Sequence, residues 1–167
     1  GIWEAMEPAC AVQYIVHDPR LETDARFGPQ FPLEKPGWFE LVAELDNLEV
    51  YRNTRAFARA YLVRQYEVVD DLYQMFQRMA SPDFHPNEVA LVETDPGTPL
   101  PAPQQDYLGE ARVTKYGTTR CTVEVDARSP AVLVLADAYY PGWRVWIDEK
   151  PAELFPVYYV FRGVIVP

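Results

Sequence analysis

The chain of 167 residues contains two serines, Ser81 and Ser129, and each stands directly before a proline. Neither lies in a G-x-S-x-G elbow, so a serine nucleophile of the hydrolase kind is excluded. Histidine occurs only at His17 and His85. The pairs "HD" at 17–18 and "DFH" at 83–85 lack third and fourth ligands in sequence, so they read as structural groups rather than a metal site. Cys10 with His17 makes a poor dyad, because nothing nearby suggests an oxyanion hole. Neither G-x-G-x-x-G nor a Walker A loop is present; the eight glycines are scattered at turn positions. The residues therefore point to no catalytic group, no metal and no cofactor.

Basic clusters are also missing. The net charge is −10, with neither a basic run nor a basic amphipathic helix. Affinity for phosphate backbones rests on clustered Lys and Arg, so nucleic acid is disfavoured as a partner, as is an anionic lipid surface. Between Arg78 and Arg112 there is no Lys or Arg, while Asp83, Glu88, Glu93, Asp95, Asp106 and Glu110 are present. A cation site and a solvated acidic loop both fit this run; its spacing matches no metal loop, which favours the loop. No apolar run reaches the roughly 18 residues of a membrane span. The start, "GIWEAMEPAC", has neither the charged nor the apolar region of a signal peptide and no initiator Met, and reads as a piece of a longer protein.

Two cysteines, Cys10 and Cys121, form no CxxC. A long-range disulfide suits an oxidising compartment; two buried thiols suit the habit of Cys as a small hydrophobe.

Aromatics and prolines are plentiful: 11 Tyr, 8 Phe, 4 Trp and 16 Pro. Val, Ile and Tyr in 9–18 predict a buried strand, and four prolines in 19–37 an extended loop. Residues 38–53 predict two short strands turning at "LDN", 45–47, since Asp and Asn tolerate the left-handed conformation. A further strand is predicted over 58–69. Leu72, Met75, Phe76 and Met79 then fall on one helical face, with Asp70 as N-cap and Ser81-Pro82 as the stop. Residues 87–93 predict one more strand. The proline-rich run 94–106 reads as a semi-rigid connection.

From 107 onward the pattern is all β. Residues 120–127 alternate cleanly, 131–140 are apolar almost throughout, and 143–148 alternate again before a turn at "EKP". One or two strands follow in 152–167. The predicted fold is α+β and β-rich: a mixed α/β subdomain over 1–95 with one clear helix, a linker over 96–106, and an antiparallel β-sandwich-like subdomain over 107–167.

Asp137 and Arg162 stand in the two most apolar strands. A charge in such a setting needs a partner, so they are expected to pair across adjacent strands; a ligand-binding Arg is the alternative. The stretch "AYYPGWRVWIDEKP", 138–151, concentrates aromatics. Alternation places Trp143, Val145 and Ile147 on one face and Arg144, Trp146 and Asp148 on the other. Tyr139, Tyr140, Trp143 and Trp146 are candidates for stacking on a sugar or a protein partner; core packing is the competing reading.

"YYPGWRVWIDEKP" followed by "FRGVIVP" resembles the C-terminal region of bacterial YfhO-type membrane proteins, which show Y-Y-P-G-W, then V-D-G-K-P, then A-F-R-G-V-x-V-P. "AVQYIVHDP", "LDNLEVYRNTRAFARAYLV" and "SPDFHPNEVALVE" are similar to upstream segments of that family, in the same order. The resemblance implies an accessory domain on the extracytoplasmic face of the bacterial membrane, attached to the membrane-embedded part of the same chain. Such proteins resemble glycosyltransferases that use lipid-linked sugars, linked to envelope glycans such as lipoteichoic acid. Their catalytic acids have no counterpart here. An envelope glycan and the membrane part of the chain are thus the implied partners; a protein-interaction module is the alternative, and a free-standing hydrolase the weakest reading. Glu149 stands where the family has Gly, and Ala58 where it has Pro. The family's next strand lies beyond Pro167, so the resemblance implies a sheet short of one edge strand.

Overall fold

The computed structural model describes Met6 and residues 8–21, 35–101 and 108–167. Those residues hold thirteen strands and one complete α-helix, so the chain is β-rich with several sheets. Two compact units divide it: residues 11–56, and residues 1–10 together with 57–167. These limits differ from the subdomain boundary read from the prolines of 96–106. That run stands between the strand Val89–Val92 of a six-stranded sheet and the strand Gly109–Tyr116 of a two-stranded sheet, both in the same unit, and its residues 102–106 lie outside the described residues.

The unit 11–56 is a three-stranded antiparallel sheet. Its strands are β1 (Tyr14–His17), β2 (Phe39–Leu45) and β3 (Leu48–Asn53), in the order β1-β3-β2. Leu45 faces Leu48 across the predicted turn, and Asp46 takes the left-handed conformation at φ 56°. The strand predicted over 9–18 is shorter than expected. Buried Asn53 anchors the chain before it: its amide donates to the Val12 carbonyl at 2.9 Å, and its oxygen accepts the Arg55 N–H at 2.9 Å.

The other unit is built on a six-stranded sheet. Its strands are β4 (Ala60–Val63), β5 (Gln65–Val68), β6 (Val89–Val92), β9 (Ala131–Ala138), β12 (Phe155–Val157) and β13 (Phe161–Val166). The spatial order is β4-β9-β13-β12-β6-β5. The single strand predicted over 58–69 is thus two strands, broken at Arg64 and lying on opposite edges of the sheet. One residue spans only a few ångströms, so the sheet must curl until its edges meet at Arg64. Pairing is antiparallel except for β5 with β6. A parallel pair needs a crossover, and α1 (Leu72–Met79) lies in it.

The N-cap of α1 is Asp71, one residue after the predicted Asp70; its carboxylate accepts the Gln74 N–H at 2.8 Å. Met75 and Met79 are buried, whereas Leu72 and Phe76 on the same predicted face remain exposed. The core inside the curl joins these methionines to Val63, Leu91, Val134 and Phe155. Gly163 lies in this wall because a Cβ there would collide with the Val157 and Phe155 side chains.

A second core lies on the other face of β4, β9 and β13, around Ala60, Ala131, Leu133, Val164 and Val166. Two separate hairpins cover it: β7 (Gly109–Tyr116) with β8 (Cys121–Ala127), and β10 (Val145–Ile147) with β11 (Lys150–Ala152). Covered on both faces, β9 has the almost unbroken apolar sequence of a central strand. Cys10 and Cys121 are not joined by a disulfide, and burial pushes the Cys121 thiol up from its ordinary value. Among the described residues no helix is long and apolar enough to cross a membrane.

Candidate functional site

The aromatic stretch begins where β9 leaves the sheet. The Tyr139 N–H donates to the Val160 carbonyl at 2.7 Å, which holds the exit of the strand. Pro141-Gly142 then turns the chain, with Gly142 at φ 106°, a conformation that favours glycine. Ile147 faces Lys150 across a two-residue turn in which Asp148 and Glu149 both have positive φ, at 48° and 68°.

Alternation along β10 places its side chains as the sequence suggests. Val145 and Ile147 turn inward onto the second core. Trp143 is half-buried, and the Arg162 guanidinium lies 3.8 Å from its ring centre. Arg144, Trp146 and Asp148 face outward; Trp146 is 58% exposed and Tyr140 71%. Tyr139 is half-buried. The four candidate aromatics therefore separate into a packed member, Trp143, a half-covered one, Tyr139, and two exposed ones.

Asp137 and Arg162 come together, Oδ2 to Nη1 at 3.9 Å, with side chains only 9% and 11% exposed. They lie on neighbouring strands at an irregularity between Phe161, opposite Ala138, and Arg162, opposite Leu135, so Asp137 belongs to the bulged stretch beside Arg162. The group is larger than a pair. Arg59 approaches Asp137 at 3.6 Å, the Tyr116 hydroxyl donates to it at 3.3 Å, and Arg162 Nε donates to the Ala138 carbonyl at 2.9 Å. Arg59 also lies 4.6 Å from the centre of the Tyr116 ring. Each cation is engaged internally, so this is an internal clamp. Arg59 and Tyr116 carried no signal in sequence, because only the packing of β4 against β7 brings them to Asp137.

Next to this clamp a groove of about 840 Å³ opens between β8 and β10. Leu133, Leu135, Val164 and Val166 line it from the six-stranded sheet.

The groups considered for metal or acid–base chemistry are placed elsewhere. His17 Nδ1 lies 2.9 Å from a Glu49 carboxylate oxygen, which also accepts the Tyr51 hydroxyl at 3.0 Å. The hydrogen bonds from His17, then from Tyr51, lower the Glu49 pKa. Cross-strand register, with His17 opposite Glu49, creates this cluster; no local motif announces it. In the acidic run, Asp83 accepts the Ser81 hydroxyl, and Asp95 accepts the Tyr66 hydroxyl at 2.9 Å and the Gly97 N–H at 2.8 Å. Both acids hold turns. Among the described residues no three His, Cys, Asp or Glu side chains gather as a metal site would require.

No family model matches the chain, and neither a curated protein nor a solved structure is significantly similar to it.

Proposed function

We propose that this chain is a non-catalytic accessory domain on the extracytoplasmic side of a multi-span membrane protein of the glycosyltransferase-like kind, where it positions an acceptor glycan. The observation that carries the reading is the outer face of β10. Trp146 stands exposed there, between Arg144 and Asp148 on the same face. An aromatic ring offers a flat apolar surface to the C–H face of a pyranose, while a guanidinium and a carboxylate beside it supply a donor and an acceptor for ring hydroxyls. Exposed Tyr140 adds a second ring at the start of the same hairpin. The likeness of "YYPGWRVWIDEKP" and "FRGVIVP" to the YfhO-type pattern supplies the membrane setting and the class of glycan.

The test is a tryptophan-fluorescence titration with soluble fragments of envelope glycans, run on the native chain and on Trp146→Ala. Saturable quenching that disappears in the variant supports the reading. An unchanged spectrum across the glycan series overturns it.

A further inference from the structure

The layer over the second core is interrupted. The hairpins β7–β8 and β10–β11 are separate two-stranded sheets, and the groove between them is lined by residues of β8 and β10, not of β7 or β11. So β8 and β10 are its two lips. Among the described residues neither lip has a strand partner on the groove side. Each lip therefore presents a row of unpaired backbone N–H and C=O groups. Val123, Val125, Val145 and Ile147 point inward from the lips yet stay only half-buried. The groove combines an apolar floor with two unused hydrogen-bonding edges, which together suit a β-strand.

Both lips start from the same end. Tyr116, paired with Cys121 at the start of β8, donates to Asp137. Trp143, just before β10, lies under Arg162, the ion-pair partner of Asp137. The lips thus run in the same sense, and one strand between them would be antiparallel to both, the favourable pairing. Charge is graded along this direction. Exposed Arg120 and Arg144 stand at the starting end, in no ion pair among the described residues. Asp126 and Asp148 stand at the far end, with Arg128 near Asp126 at 3.1 Å. In a chain of net charge −10, an arginine-bearing end is a local reversal.

We propose that the groove receives an extended peptide segment of a partner protein as an inserted strand. The segment lies antiparallel to β8 and β10, with alternate apolar side chains on the floor. A basic residue at its N-terminal end meets Asp126 and Asp148, and an acidic residue at its C-terminal end meets Arg120 and Arg144. This is recognition by strand addition: backbone bonds hold the peptide, and alternate side chains and end charges select it. It does not depend on the glycan reading: the strand is held by the backbones of the lips and the apolar floor, and the Trp146 ring used by a glycan only borders the groove.

The experiment titrates a fluorescent synthetic peptide against the native chain by anisotropy. The peptide has about six residues, a common strand length, with Val alternating with Thr, Lys first and Glu last. Saturable binding is expected. Exchanging the end charges should weaken it about tenfold, and N-methylating the peptide backbone at alternate residues should abolish it. Hydrogen exchange should slow at β8 and β10 only when peptide is bound, and Tyr140→Ala, outside the groove, should bind peptide as the native chain does. Absence of saturable binding overturns the proposal, as does equal binding of the N-methylated peptide. Self-association of the chain that protects the same amides without peptide also overturns it, in favour of a second copy as the occupant.

Discussion

Arg162 places its guanidinium 3.8 Å from the centre of the Trp143 ring while its Nε donates to the Ala138 carbonyl at 2.9 Å. One side chain thereby ties β13, the end of β9 and the approach to the aromatic hairpin. Lysine keeps the charge but offers neither the planar fork nor the stacking surface. Arg162→Lys should therefore destabilise the fold, and a double-mutant cycle with Trp143→Leu should return a coupling of about 0.5–2 kcal/mol. Urea unfolding of the four proteins measures it; strictly additive effects would show that the stacking contributes nothing.

Tyr158 is 2% exposed and holds a positive φ of 51° in the loop between β12 and β13. Its hydroxyl donates to the Pro86 carbonyl at 2.7 Å, with the Val89 carbonyl at 2.9 Å. Burial pushes its pKa well up, so it stays a neutral donor. Tyr158→Phe keeps the edge-to-face contacts with Phe84 and Phe161 and removes only the donor. The expected loss is about 1–3 kcal/mol in denaturant unfolding.

Asp148 and Glu149 form a two-residue turn in which both are left-handed, a conformation that costs a residue with a side chain about 1–2 kcal/mol. Glu149 is exposed. Glu149→Gly should raise the melting temperature by about 2–4 °C for each kcal/mol released, and Glu149→Val should lower it. Calorimetry on the three proteins decides; a lower melting temperature for the glycine variant would contradict a strained turn.

Arg20 grips Asp18 with Nε to Oδ1 at 2.8 Å and Nη2 to Oδ2 at 2.6 Å. That hydrogen bonding lowers the Asp18 pKa from 3.8 to about 2. A folded pKa below the unfolded value means the carboxylate stabilises the fold above about pH 4, and this contribution fades as pH falls through 2. An NMR titration should find the Asp18 midpoint near 2, returning toward an ordinary aspartate value in Arg20→Ala.

Much of the local structure was legible because period and turn chemistry act over a few residues. The turn at Asp46, the alternation of β8, the apolar run of β9 and the opposite facing of Trp143 and Trp146 all follow from adjacent residues. The contacts that organise the unit were not legible. Arg64 breaks a strand without glycine or proline, since the corner is imposed by strands from distant regions of the chain. Prolines in 96–106 suggest a domain boundary, but a proline-rich connection can equally join two sheets of one compact unit, and the strands on either side of this run belong to the same unit. Of the clamp, Asp137 and Arg162 could be paired on the cost of burying charge; Arg59 and Tyr116 join only through packing.

The corner at Arg64 has a mechanical consequence. In an open sheet an outer strand can peel away while the rest stays intact. Here β4 and β5 are the two outer strands, and one residue fastens them together. Pulling one edge loose loads the other, so the seam turns two weak borders into a single cooperative element. A protease cut at that residue would separate the borders and let each fray independently.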